Sequence, residues 1–495
     1  MKGIIKGINL FLTGTVVLAL LTGCSKDKDT DKKNPELVAN FLNPFAGSPD
    51  VPAENLIKIV DENGLPIGGA QVLIGDALGA PFENNLINAN ENGEVVLPAQ
   101  WTTEQSLTLN HAGHTRVTYL KQLPGARTYV MKTAMPDVAF TLTGTNTGFS
   151  IVNKDGKADF SFVMPALTKK ELFNFDMGMI ISNENDDIEI AGNPVSIPTN
   201  VTLPKQKESY FIPITLEKPQ YKVQFKTKGV KKVFSARGQF PFKQVVSAMR
   251  SNKEFFELIN YFSIQGGSLK DVNIANQNTQ MDLPVNEMNF TQSRFLVAPA
   301  YRTEEALVAA AISGLQGYMF PTDVKNVDAG QMVGLASLPG ADINLLAILK
   351  RKTELKQGPG SDRISASFVP FTDRVKPTLL PLMNNPRIMS YHTVQVQHIE
   401  PVVGLQPVAT YAVLSKVDVR KSGNYQYENL TQLWEVYGSN WVDQVAVPVW
   451  PGESAPAGKL RWSVALLAGG SVQNLDLGPK ILDAVTHATN ASADF

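Results

Sequence analysis

From Leu56 onward, one pattern recurs along the chain: short runs in which apolar and polar residues alternate, cut by glycine, asparagine, aspartate or proline. A period of two sends one set of side chains to a single face of a strand, so each run needs a second layer to cover that face. Leu56-Ile57-Lys58-Ile59-Val60 is such a run, and it breaks at Asp61-Glu62-Asn63-Gly64. Alternation resumes at Ala70-Gln71-Val72-Leu73-Ile74, and Asn92-Gly93 signals a tight turn before Glu94-Val95-Val96-Leu97. Two more strands are predicted, from Ser106 to Asn110 and from Thr115 to Leu120. The fold class read from this pattern is mainly β: tandem β-sandwich domains with a short helical insertion near 242–265. At 495 residues and 43% apolar composition the chain is long enough for several cores, three or four at about 150 residues per domain.

The pattern divides the chain into segments. Residues 51–134 form the first sandwich and 135–235 the second. In the latter, Ala139 to Thr143 and Ala158, Phe160 and Phe162 alternate around Lys154-Asp155-Gly156, read as a hairpin loop; Asp187 to Ala191 and Tyr210 to Ile214 are further strands. Residues 236–375 form a β-rich segment with the helical insertion. There Val245, Val246 and Met249 make one apolar set and Phe255, Phe256, Ile259 and Phe262 another. Ser251-Asn252-Lys253-Glu254 has the form of a capping box, which splits the stretch into two short helices, the second ending at Gly266-Gly267. A helix covering a sandwich is the expected role. Leu283-Pro284-Val285 and Phe295-Leu296-Val297 read as extended, Glu304 to Ile312 as a strand despite its alanines, and Leu355 to Arg363 as a linker or long turn. Residues 376–495 alternate again at Thr393–Gln397, Thr410–Leu414, Leu433–Tyr437 and Leu460–Leu466, which suits an immunoglobulin-like or fibronectin-like sandwich.

The start of the chain is different. Lys2 and Lys6 precede an apolar run that closes at Leu21-Thr22-Gly23-Cys24, and Cys24 is the one cysteine of the sequence. A positive start, an apolar stretch and small residues at its end make a secretory signal. The alternative, a transmembrane anchor over residues 7–23, falls short of the roughly 20 apolar residues that a spanning helix needs. Residues 1–23 resemble a bacterial lipoprotein signal peptide. The resemblance implies lipidation of Cys24, a mature chain held to a membrane by its acyl chains, and, because Ser25 replaces the aspartate linked to inner-membrane retention, the outer membrane as its address. Residues 24–50 read as a flexible tether, since Ser25 to Lys33 alternates charge and offers no apolar face. Loss of Lys2 and Lys6 takes the formal net charge from −1 to −3, and no basic stripe of the kind nucleic acid requires is present.

Residues 55–132 resemble the carboxypeptidase regulatory-like domain, a small transthyretin-like β-sandwich. The residues that carry this are Val60-Asp61, Gly64, Pro66-Ile67, Gly69-Ala70 and Val72, then Asn90-Glu91-Asn92-Gly93-Glu94, then Ala112-Gly113-His114. His114 departs from the aromatic that the family usually keeps there. The resemblance implies a structural and binding module, with Gly64 and Gly93 in turns and Ala70 tightly packed.

Chemistry leaves few marks on the sequence. It contains no H-E-x-x-H, G-x-S-x-G, P-loop or G-x-G-x-x-G motif, and with Cys24 acylated no thiol remains for a nucleophile or a metal. His111 and His114 are three apart but lie in an extended-then-turn context, where they are not expected to share a face, so a turn or packing role is favoured over a metal. The acidic stretch Asn183-Glu184-Asn185-Asp186-Asp187 offers calcium-type oxygens, with Asp186 and Asp187 as the metal candidates against a solvated turn. Trp434 and Trp462 belong to alternating core faces. Trp441 and Trp450 lie near turns and are the candidate ligand contacts. The expectation is a lipid-anchored, non-catalytic surface binding or adhesion module for a protein or glycan, with no catalytic residues and no cofactor. The alternatives are an assembly lipoprotein of an envelope complex and an unrecognised hydrolase.

Overall fold

The alternating runs become strands, and most of them join one sheet. The computed structural model describes residues 56–495 apart from 135–138, 150–155, 169–181, 183, 191–192, 209–213, 251–257, 303–304, 353–362, 423–424, 455 and 471–484. The signal peptide, Cys24 and the tether lie outside the described residues. So do Ser251–Glu254, Phe255, Phe256 and most of the linker read at 355–363.

The main sheet has thirteen strands. Their order is Leu167–Thr168, Tyr318–Val327, Ala306–Leu315, Ile343–Lys352, Arg363–Pro370, His487–Asp494, Leu460–Gly469, Gln406–Ser422, Tyr425–Ser439, Arg116–Gln122, Gln105–Asn110, Gln71–Ile74 and Leu86–Asn88. Neighbours run antiparallel at every joint but one. At that joint Arg116–Gln122 lies parallel to Tyr425–Ser439, with Arg116 opposite Trp434 and Tyr119 opposite Tyr437. A parallel pair cannot be closed by a tight turn, so this joint is made between distant parts of the chain. The sheet thus crosses the boundaries drawn at 134 and 376.

Smaller sheets cover both faces of this spine. On one face Glu94–Val96, Leu56–Asp61 and Arg127–Met131 pack Ile57, Ile59 and Val95 against Val72, Leu107 and Val117, which makes the N-terminal sandwich. Ala70 is fully buried there, and Gly64 and Gly93 occupy turns with positive φ. The same face meets a six-stranded sheet through Phe160, Phe162 and Phe234, the last stacked on Phe320 at 4.5 Å. On the opposite face, Gln292–Val297, Met332–Ser337 and Arg374–Val375 cover Leu307, Ala309, Leu346 and Ile348. Arg387–Ser390, Thr393–Gln395 and Gln444–Ala446 cover Trp434, Trp462 and Val464. Burial of each such large apolar side chain stabilises the fold by roughly 1.5–3 kcal/mol. The protein is mainly β, in tandem sandwiches that share one sheet.

Several local expectations change. The boundary at 235 falls inside the strand Gly229–Pro241, which pairs along its length with Ser263–Ile274. The second sandwich therefore takes strands from beyond residue 260. Phe140–Thr147 and Lys157–Pro165 do not form a hairpin around Gly156: the first pairs with Gln220–Phe225, the second with Gly229–Pro241. Helix α1, Phe242–Arg250, buries Phe242 and Val245 in the core, as a covering helix does. Gly266 and Gly267 do not end a helix. They lie inside a strand, where a Cβ on Gly266 would stand 2.2 Å from the Met288 carbonyl oxygen and one on Gly267 2.7 Å from the Phe234 ring. Glycine there serves close approach of a neighbouring strand. Ala306–Leu315 is a strand, since its alanines face the crowded interior of the main sheet.

Candidate functional site

Aromatic and charged side chains gather beside the parallel joint. Arg116 opens its strand on the face that carries Trp434. Its guanidinium carbon lies 4.5 Å from the Trp434 ring centroid and 4.8 Å from that of Trp450, so the cation is held between two indoles. Its Nη1 donates to Glu453 and its Nε donates to Asn110 Oδ1 at 3.1 Å. The local sequence explains the arrangement: Trp450-Pro451-Gly452-Glu453 closes a turn through the Glu453 amide on the Trp450 carbonyl, 3.2 Å. Pro451 fixes the first central φ and Gly452 supplies φ +76° at the second. That turn returns the carboxylate to the guanidinium. Tyr391 and His392 flank the pair, their rings edge to face at 4.7 Å. The Tyr391 hydroxyl is buried without a hydrogen-bond partner among the described residues, and burial with the Glu453 charge pushes it up to about 12 against the pull of Arg116. Burial lowers His392 against the opposing Glu453 charge.

A second polar cluster holds the other face of the same joint. Lys132 follows the strand Arg127–Met131 and puts its Nζ 2.5 Å from Glu435 Oε1, with side chains only 12% and 2% exposed. The Tyr411 hydroxyl donates to Glu435 Oε1 at 2.8 Å and accepts from Lys132 at 3.2 Å. Tyr119 stacks on Tyr437 at 5.4 Å and donates to the Val130 carbonyl. Burial pushes Lys132 down, opposed by Glu435, and holds Tyr411 and Tyr437 well above the usual phenol range with help from the Glu435 charge. Together the two clusters latch residues 116–132 to residues 391–453 from both sides of the sheet.

The residues nominated from sequence fall into place as follows. Trp450 is not an exposed platform: it is 7% exposed and its ring is taken by Arg116. Trp441 is half-buried and donates its indole N–H to the Leu467 carbonyl at 2.7 Å. Asp187 lies in a strand, as its alternation predicts, and that strand, Asn185–Ile190, also takes in Asp186 in place of a solvated turn; successive side chains there point to opposite faces. The oxygens near Asp186 do converge on a cation, and it is the Lys218 ammonium. It meets Asp186 Oδ2 at 3.0 Å and donates to the carbonyls of Thr199, Val201 and Gln220 at 3.1, 2.8 and 3.0 Å. A fixed positive charge thus occupies the position a metal would need. His111 and His114 do come together, contrary to the expectation, with Nδ1 atoms 3.0 Å apart.

One further pair was missed. Ser367 Oγ lies 3.1 Å from His487 Nε2, in the manner of a nucleophile and base. Nε2 is also 3.1 Å from the Thr378 carbonyl, which only accepts, so Nε2 carries the proton and His487 is no base toward Ser367. Nδ1 then accepts from the Thr486 hydroxyl at 2.5 Å. Both side chains are buried, and the pair is a structural tie between adjacent strands. The Trp450-Pro451-Gly452-Glu453 turn is a signal that points to Glu453, whereas Arg116, Lys132 and Glu435 carry none.

No family model matches the chain, and no curated protein matches it. Among solved structures, it is similar to the Bacillus anthracis TIE protein at 8% identity and TM-score 0.15, covering 66% of this chain and 50% of that one. It thus spans about half the length of that protein. It is also similar to BcpA, the major pilin subunit of Bacillus cereus, at 10% identity and TM-score 0.14, covering 65% of this chain and 97% of that one. A streptococcal ancillary pilin gives 8% identity and TM-score 0.14, over 66% and 98% of the two chains. Scores this low leave the function to be argued from the chain's own residues.

Proposed function

We propose that the chain is a lipid-anchored extracytoplasmic protein, on the outer membrane, that acts without catalysis as a surface binding or adhesion module. The observation that supports this reading most is the latching of the parallel joint. Arg116 between two indoles and the buried Lys132–Glu435 pair tie an N-terminal sandwich to a C-terminal one within a single sheet. Such a join resists separation of the segments and suits a scaffold that presents loops and faces to a partner. The Lipobox-like Leu21-Thr22-Gly23-Cys24 supplies the attachment. Since the Trp450 face is occupied, Trp441 remains the aromatic to test against a glycan.

Three measurements test the reading. Cys24→Ser is expected to stop acylation and release the protein from the membrane fraction, and retention with bound lipid would refute the anchor. Protease shaving of intact cells is expected to abolish binding of cells to immobilised glycan or host-protein panels. Binding that survives shaving, with co-purification of an envelope complex, would point to assembly instead. The purified chain is expected to show no turnover on peptide, ester and glycoside panels. Reproducible turnover abolished by one polar substitution would overturn the non-catalytic reading.

A further inference from the structure

The turn between Gln105–Asn110 and Arg116–Gln122 brings two imidazoles into register. The His114 amide donates to the His111 carbonyl at 3.2 Å, and Gly113 holds φ +81° between them. The turn is pinned from its far side, where the Ala134 amide donates to the Gly113 carbonyl at 2.9 Å and the Thr115 amide to the Lys132 carbonyl at 2.8 Å. Within this frame the rings stand 5.0 Å apart at 61°, each partly exposed, with the two Nδ1 atoms facing across 3.0 Å.

Two nitrogens bound to one metal at about 2.0–2.1 Å are separated by about 2.9 Å at a right angle and about 3.4 Å at the tetrahedral angle. The observed 3.0 Å fits the right-angle pair. Tetragonal centres with imidazole ligands are the preference of copper(II) and nickel(II), with copper(II) the tighter binder. Glu62 and Asp61 lie close enough for their charges to act on His114 and lend a negative field to the site. Glu62 itself braces the adjoining backbone, accepting from the Thr133 amide at 2.7 Å.

We propose that His111 and His114 form a bidentate, surface-accessible site for a divalent transition metal of tetragonal preference, copper(II) before zinc(II). Among the described residues no group of three or more His, Cys, Asp or Glu is assembled, so these residues supply two ligands and water can complete the coordination. In the metal-free chain one Nδ1–H donates to the other Nδ1 and holds the same approach.

The test is titration of the intact chain, purified in detergent, with copper(II) and separately with zinc(II), read by calorimetry and, for copper, by electron paramagnetic resonance. The wild type is expected to take up copper(II) at one site whose spectrum shows coupling to two imidazole nitrogens, and to bind zinc(II) more weakly. His111→Asn and His114→Asn are each expected to weaken copper binding by roughly 10–100-fold, ligand loss costing no less than loss of an outer-shell partner. His398→Asn is expected to change neither affinity nor spectrum. A wild-type spectrum without two-nitrogen coupling would overturn the proposal and requires no variant to fold. Equal copper binding by a His111→Asn/His114→Asn double variant with unchanged melting temperature would overturn it as well.

Discussion

Neutralising one member of the Lys132–Glu435 pair is the most direct way to measure what holds the two ends of the main sheet together. The side chains are 12% and 2% exposed, so Glu435→Gln takes from the Lys132 ammonium the carboxylate it meets at 2.5 Å, in a place where little water can replace it. Breaking a buried pair from one side costs about 3–5 kcal/mol. For a cooperative unit of 150–250 residues, at about 2–4 °C per kcal/mol, that is a fall in Tm of roughly 6–20 °C. Lys132→Met is expected to cost a similar amount, since Glu435 then loses its ammonium and, among the described residues, keeps the hydroxyls of Tyr411 and Tyr437. Lys132→Met combined with Glu435→Leu is expected to recover most of the loss, because an apolar pair incurs no charge desolvation. Scanning calorimetry with a double-mutant cycle gives the coupling term directly. Additive effects, or single variants within a degree of the wild type, would refute the argument that this pair latches the joint.

Three further outcomes are expected. Burial lowers His487 to about 4, so between that value and the unfolded 6.5 the unfolded chain binds the extra proton; stability present above pH 6.5 is lost as pH falls to 4, by about 3 kcal/mol, and His487→Gln should remove that part of the acid-induced fall in Tm. An unchanged difference between pH 7 and pH 4.5 in the variant would exclude His487 as its source. Arg116→Ala removes two cation–π contacts and a partly exposed ion pair, an expected loss of about 2–3 kcal/mol, and tryptophan emission should shift as the Trp434 and Trp450 faces lose their cover; a silent spectrum would contradict the clamp. Gly266→Ala places a methyl 2.2 Å from the Met288 carbonyl. It should destabilise by about 1–3 kcal/mol and raise hydrogen exchange at residues 288–289, whereas protection equal to the wild type would refute the close approach.

Strands with strong alternation were legible in the sequence because period two reports a face, and a face is a local property. Leu56–Asp61, Gln71–Ile74, Gln105–Asn110 and Leu460–Gly469 lie where the alternation placed them. Pairing is not local, and there the reading failed. Nothing in Arg116–Gln122 distinguishes a strand that ends a sandwich from one that receives a parallel neighbour, since both bury the same residues. Gly266-Gly267 carried a breaker signal because glycine marks chain reversal and close approach alike. The extension of the strand Asn185–Ile190 back to Asp186 is not legible, because an exposed strand end and a solvated turn share a composition. Trp450 was singled out correctly as a residue near a turn, but its occupant, Arg116, comes from the other end of the chain. The His111–His114 approach was missed because a turn was treated as separating side chains that it in fact turns toward each other.

The parallel joint also imposes a schedule on synthesis. Arg116–Gln122 leaves the ribosome long before Tyr425–Ser439 exists, a delay on the order of 15–60 s at about 5–20 residues per second. Throughout that interval the strand presents unsatisfied amide and carbonyl groups to any other nascent chain. A product truncated near residue 134 keeps this state permanently and is expected to associate with its own copies. Completion of the C-terminal sandwich is therefore what silences the edge, and the last quarter of the chain acts as the safeguard against aggregation of the N-terminal sandwich.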